Sequence, residues 1–187
     1  MKIISIGLFI ALIGGLSAFA APAAGQKSVV IIYGSLYGST AQTAEWIAEG
    51  MAGKATVVAA KDAGDLSGYE KVVLGSGIYG GGLHADMDAF LEKRGAEVKS
   101  KVIALFVVCG APPERAGGYL DMFAEKIGAV PLSARAFGGW LKKERLSPEH
   151  DQGLAEYYKS VNQPYENWDH TDKAQCLAFA REILAKM

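Results

Sequence analysis

Several absences narrow what this chain can be. Its 187 residues hold two cysteines, Cys109 and Cys176, too few for a disulfide scaffold. Neither sign of charge dominates: 19 basic residues stand against 20 acidic ones, and no basic stripe suited to nucleic acid is visible. The three histidines, His84, His150 and His170, lie far apart without ligand spacing, so no metal site is expected. The glycine-bearing loop that begins at Gly34 fits neither GxxxxGK[ST] nor GxGxxG, which argues against a triphosphate loop or a dinucleotide fingerprint there. No internal repeat or low-complexity segment occurs either, and the length fits one domain with a real core.

What is present centres on residues 28–40. Val29 to Tyr33 is a continuous apolar, β-branched run, as expected of a strand covered on both faces. A glycine- and hydroxyl-rich stretch follows, Gly34-Ser35-Leu36-Tyr37-Gly38-Ser39-Thr40. Ala41 to Met51 then reads as a helix, with Ala44, Ile47, Ala48 and Met51 on one stripe. Strand, loop and helix start form a natural phosphate site, because loop and first-turn N–H groups point outward and the helix dipole is positive there. No Lys or Arg occurs from Ser28 to Glu45. A loop that offers only neutral donors suits a phosphate that is held and not turned over, which points to flavin mononucleotide (FMN). The loop resembles the phosphate-binding loop of flavodoxins, whose pattern is [ST]-x-x-G-x-T.

Further apolar runs follow. Ala55 to Ala60, Lys71 to Gly75 and Lys101 to Val108 read as strands, and Pro131 to Phe137, which alternates and carries Arg135, as an edge strand. Helical patterns cover Ala85 to Arg94, Tyr119 to Ile127 and a last segment striped by Cys176, Phe179, Ala180, Ile183 and Met187. Strands alternating with helices predict an α/β fold: a doubly wound, five-stranded parallel sheet in the order 2-1-3-4-5, with helices on both faces. Ligands of such sheets sit beyond the carboxyl ends of the strands, at the switch point between strands one and three. Both cysteines are expected to be buried free thiols.

That rule selects two more loops. The third strand is followed by Ser76-Gly77-Ile78-Tyr79-Gly80-Gly81-Gly82, read as a loop that raises Tyr79 on a glycine platform. The fourth is followed by Cys109-Gly110-Ala111-Pro112-Pro113-Glu114-Arg115. The flavodoxin resemblance implies that Ser35, Ser39 and Thr40 hold the phosphate together with N–H groups from Leu36, Tyr37 and Gly38 to Thr40. It further implies that Tyr79 stacks on the isoalloxazine, with Ser76, Gly77, Ile78 and Gly80 beside it. The Gly77 or Gly80 carbonyl would accept from N5 of reduced flavin, and Cys109 and Gly110 would meet the pyrimidine edge. The acidic residue and second stacking Tyr of short flavodoxins are replaced here by two prolines and an Arg, which disfavours a very low potential.

Residues 138–169 read as an insertion between the last strand and last helix. Ser147 and Pro148 mark a helix start there, and Tyr157, Tyr158, Tyr165 and Trp168 follow. Phe137-Gly138-Gly139, Asn167-Trp168-Asp169 and Ala178 to Ile183 resemble the flavodoxin-domain family that includes menaquinone-dependent protoporphyrinogen oxidase. That resemblance implies an FMN-dependent oxidoreductase passing electrons from a porphyrinogen to a quinone, or an electron carrier with a redox partner protein. A binding module that keeps the fold and has lost redox work is the alternative. The insertion is either a solvent-facing lid or a substrate contact. Met1 to Ala24 carries Lys2, an apolar run over Ile3 to Leu16 and an Ala18-Phe19-Ala20 signal, the features of a secretory leader. Uncleaved, it would be an anchor associating the chain with a membrane. Either way the domain, residues 25–187, is expected to be exported, in the periplasm or outside the cytoplasmic membrane.

Overall fold

The computed structural model describes residues 29–187, so the expected leader lies outside the described residues. Five parallel strands form the main sheet: β1 Val29–Gly34, β2 Ala55–Ala59, β3 Lys71–Tyr79, β5 Val102–Cys109 and β6 Ser133–Gly138. Their spatial order is β2-β1-β3-β5-β6, the expected doubly wound order once the two-residue strand β4, Gly82–Leu83, is set aside. Helices α1 (Ser39–Gly50) and α5 (Lys173–Lys186) cover one face; α2 (Ala85–Val98) and α3 (Pro113–Ile127) cover the other.

The absence of alternation in the strands follows from this two-sided cover. In β1, Val29 and Ile31 point into the core beneath α1 and α5, while Val30 and Ile32 point into the core beneath α2 and α3. All four are fully buried. Each such side chain contributes about 1.5–3 kcal/mol relative to exposure, an upper figure because real unfolded chains already bury some surface. Phe106, Phe137 and Phe179 interlock edge to face between β5, β6 and α5, at centroid separations of 6.2 and 5.6 Å. Arg135 does mark the β6 edge: its guanidinium bonds Glu182 at 2.8 Å and lies over the Phe179 ring.

Three elements differ from the sequence expectation. Strand β3 does not stop at Gly75 but runs to Tyr79, and pairs back through β4 with Ile78 opposite Leu83. The intervening Gly80 and Gly81 have φ of 57° and 85°, both in the left-handed region that closes a tight hairpin. The expected glycine loop is therefore mostly strand, because a partner strand satisfies its backbone groups. Helix α3 starts six residues earlier than the apolar stripe indicated, at Pro113, which suits a first helical turn. Residues 138–169 are more regular than their composition implies: β7 (Trp140–Leu141) pairs antiparallel with β8 (Trp168–Asp169), and α4 (Pro148–Ser160) lies between them. Ser147 caps α4 as expected, its Oγ accepting from the His150 N–H at 3.3 Å.

Both thiols are free, but they differ in burial. Cys176 is 1% exposed and its thiol is pushed up to about 11 by burial. Cys109, at the end of β5, is half-buried instead of buried, and burial again raises its thiol. At pH 8 Ellman's reagent is expected to modify Cys109 slowly in the native protein and Cys176 only after unfolding. Gly75 faces the Phe106 ring so closely that any Cβ there would run into it. Gly75→Ala is therefore expected to lower unfolding stability by about 1–3 kcal/mol in a denaturant titration.

Candidate functional site

Parallel register aligns the strand ends that carry the site. Gly34 pairs with Ser76, Gly77 with Val108, and Cys109 with Gly138, so the loops after β1, β3, β5 and β6 emerge side by side. The loop after β1 turns into α1 through Gly38, whose φ of 97° is left-handed. Side-chain oxygen or nitrogen caps close the starts of α2, α4 and α5, from His84, Ser147 and Asp172. The start of α1 has no side-chain cap, although Ser35, Ser39 and Thr40 surround it. Ser35 Oγ instead accepts from the Gly38 N–H at 3.2 Å, which shapes the loop.

Thr40 is the most informative residue here. Its side chain is fully buried and Oγ1 has no hydrogen-bond partner. Leaving a buried hydroxyl unpaired costs roughly 1–3 kcal/mol. The site lies under β3 at Gly77, where the lack of a side chain is essential: a Cβ there would sit 2.9 Å from Thr40 Oγ1 and 2.7 Å from the Tyr79 ring. An uncapped helix start, three hydroxyls and an orphaned donor fit a phosphate group, and the residues present fit FMN at that end.

Tyr79 is not raised away from the domain as expected. Its ring folds back over Gly77, and its hydroxyl accepts from the Leu36 N–H of the loop after β1 at 3.0 Å. Edge-to-face contacts with Tyr37 at 6.3 Å and His84 at 5.5 Å hold the ring there. Burial raises the phenol above its ordinary range, against the loop donors that lower it. Ser76 is buried, and its hydroxyl is fully used inside the chain: it donates to the Gly77 carbonyl at 2.8 Å and accepts from the His84 N–H at 2.9 Å. Its part is to tie the β3–β4 hairpin to the start of α2. Ile78 is half-buried beside Tyr79, and Gly80 forms the hairpin turn.

The insertion returns over the loops. Trp140 Nε1 donates to the Tyr37 carbonyl at 3.2 Å, and its indole lies against Gly38. Tyr37 Oη lies 2.5 Å from His150 Nδ1 and accepts from the Ser147 N–H at 3.3 Å. Lys142 Nζ sits 4.1 Å from the centre of the Trp140 ring, and Arg145 stacks more loosely on it at 5.9 Å. The Arg145 guanidinium also reaches the rim of Gly38, with Nη1 3.8 Å from where a Cβ would stand. A loop with no cation of its own thus gains positive charge from a segment a hundred residues away. At the other end, Trp168 covers Gly110 so closely that a Cβ there would lie 2.7 Å from the indole. Trp168 stacks on His170 at 4.8 Å and donates to Tyr158 Oη at 2.9 Å. Tyr165 donates to Asp151 at 2.6 Å, and its phenol is pushed up to about 12 by loss of solvent and by that carboxylate.

Thirteen residues were expected to bind the cofactor. The fold gathers Ser35, Leu36, Tyr37, Gly38, Ser39, Thr40, Gly77 and Tyr79 into one cluster, and sets Cys109 and Gly110 at the adjoining strand end under Trp168. Trp140, Arg145, Ser147 and His150 are the additions. In the sequence they lie in the 138–169 insertion after the last strand, where Ser147 marks a helix start, but nothing in their spacing says which side chains reach the loop after β1.

Among solved structures, the fold is similar to oxidised flavodoxin 1 from Bacillus cereus, with a TM-score of 0.57 and 20% identity over 86% of this chain and 99% of that one. Flavodoxin 2 from the same organism superposes with a TM-score of 0.55 and 18% identity over 86% and 99%. Two-electron reduced Megasphaera elsdenii flavodoxin gives 0.51 and 21% over 58% and 84%. No curated protein matches the chain. Residues 30–164 match the family described as Flavodoxin domain, and the chain belongs to that family.

Proposed function

We propose that this domain binds FMN without a covalent bond and uses it to transfer electrons. The observation that carries this reading is the partnerless Thr40 hydroxyl beside an uncapped helix start, in a loop lined by Ser35 and Ser39. FMN would supply the redox chemistry. The chain's part is to hold and orient. Thr40, Ser39 and the loop N–H groups bind the phosphate, and Arg145 adds a positive charge at the rim. Gly77 keeps the backbone low beneath the ligand, and Cys109 and Gly110 border its far end. Trp168 and Tyr158 wall off water beside Gly110.

A finer version rests on the family resemblance of residues 137–139, 167–169 and 178–183. In it, electrons leave protoporphyrinogen and reach a quinone through the bound flavin, and the aromatic insertion touches the organic substrate. With an N-terminal export signal, this would happen outside the cytoplasm. A second reading, a binding module without redox work, is favoured by the Tyr79 hydroxyl seated in the phosphate loop.

The purified domain is expected to be yellow, or to become so with added FMN; a colourless protein that ignores FMN supports the second reading. Thr40→Ala is expected to weaken FMN binding by about 1–3 kcal/mol in a fluorescence titration. Arg145→Gln is expected to weaken FMN binding about two- to fivefold at low salt, with little effect at high salt and none on riboflavin, which lacks the phosphate. Quinone reduction with protoporphyrinogen as donor tests the finer version, and no turnover leaves electron carriage.

A further inference from the structure

The geometry points to Tyr79 as a built-in competitor for the loop after β1: its hydroxyl must be displaced by any phosphate that enters, which lowers the affinity of every phosphate ligand and leaves a bare phosphate, with nothing else to offset the cost, weakly bound. This rests on the reading of that loop as a phosphate site. The Tyr79 hydroxyl takes the Leu36 N–H at 3.0 Å. Tyr79 Oη and Thr40 Oγ1 each lie 2.9 Å from the point where a Gly77 Cβ would stand, so they flank one small volume. Yet Thr40 Oγ1 makes no hydrogen bond. The phenol therefore satisfies part of the donor set and leaves its buried member unpaired.

A phosphate is the better occupant. It accepts from several donors at once, including Thr40, and its charge is stabilised by the helix start. To enter it must displace the phenol. The backbone permits this: Tyr79 is held by its ladder to Gly82, and rotation about its side-chain bonds breaks no strand pairing. The displaced ring also leaves its contacts with Tyr37 and His84. Every ligand bears that cost, but one with further surface to bury offsets it and a bare phosphate does not.

Tyr79→Phe tests this, because it keeps the ring and removes only the competing oxygen. Wild type and variant are titrated with inorganic phosphate and with FMN by calorimetry, after thermal unfolding shows both to be folded. The variant is expected to bind inorganic phosphate about fivefold tighter, the equivalent of one net hydrogen bond. FMN is expected to gain by a similar factor. Phosphate binding that is unchanged, weaker or undetectable in the variant overturns the proposal. Tighter phosphate binding with no FMN binding by either protein supports the competition and sinks the flavin reading; FMN binding with no gain for phosphate does the reverse.

Discussion

The parallel register of β1 against β3, and of β3 against β5, is the constraint on which the rest depends. It sets Gly34 opposite Ser76 and Gly77 opposite Val108, so that loops forty and seventy residues apart share one edge of the sheet. A slip of one residue would turn Val30 and Ile32 toward the wrong core and move Gly77 from above Thr40. The buried β-branched residues that make the strands stable thus also hold the site in place. Gly77 is where the two requirements meet, since a backbone without a side chain is what lets β3 close over the start of α1.

The second layer of the site is electrostatic. The loop after β1 offers only hydroxyls and N–H groups, and α1 has no acidic residue in its first turn to compete with an anion. Positive charge arrives from outside, on Lys142 and Arg145, both stacked on Trp140. Trp140 is itself pinned to the loop through the Tyr37 carbonyl, and Ser147 and His150 hold the Tyr37 hydroxyl. The insertion is therefore bonded to the loop at separate points along residues 140–150. Its helix α4 has no buried residue, so these polar contacts and the β7–β8 ribbon do most of the anchoring.

The fold was largely legible along the chain because it is written in local patterns. Unbroken runs such as Val29 to Tyr33 mark strands covered on both faces, and Ser147-Pro148 marks a helix start. The errors fell where non-local partners decide. Strand β3 continues past Gly75 only because Gly82 and Leu83 come back to pair with it. Cys109 sits at a strand end, where exposure depends on what crosses above it.

From composition and spacing alone came the strand-loop-helix unit at 29–50, the alternation of strands and helices, and the hydroxyl and glycine identities of the loop after β1, since each follows from short-range periodicity and turn chemistry; the sheet order needed the general rule for doubly wound folds as well. Tertiary structure alone decided the orientation of Tyr79, the spending of the Ser76 hydroxyl on His84, the orphaning of Thr40 and the return of Trp140 and Arg145 over Gly38. Those depend on which side chains meet across the sheet, and periodicity along one segment holds no information about the segment it will face.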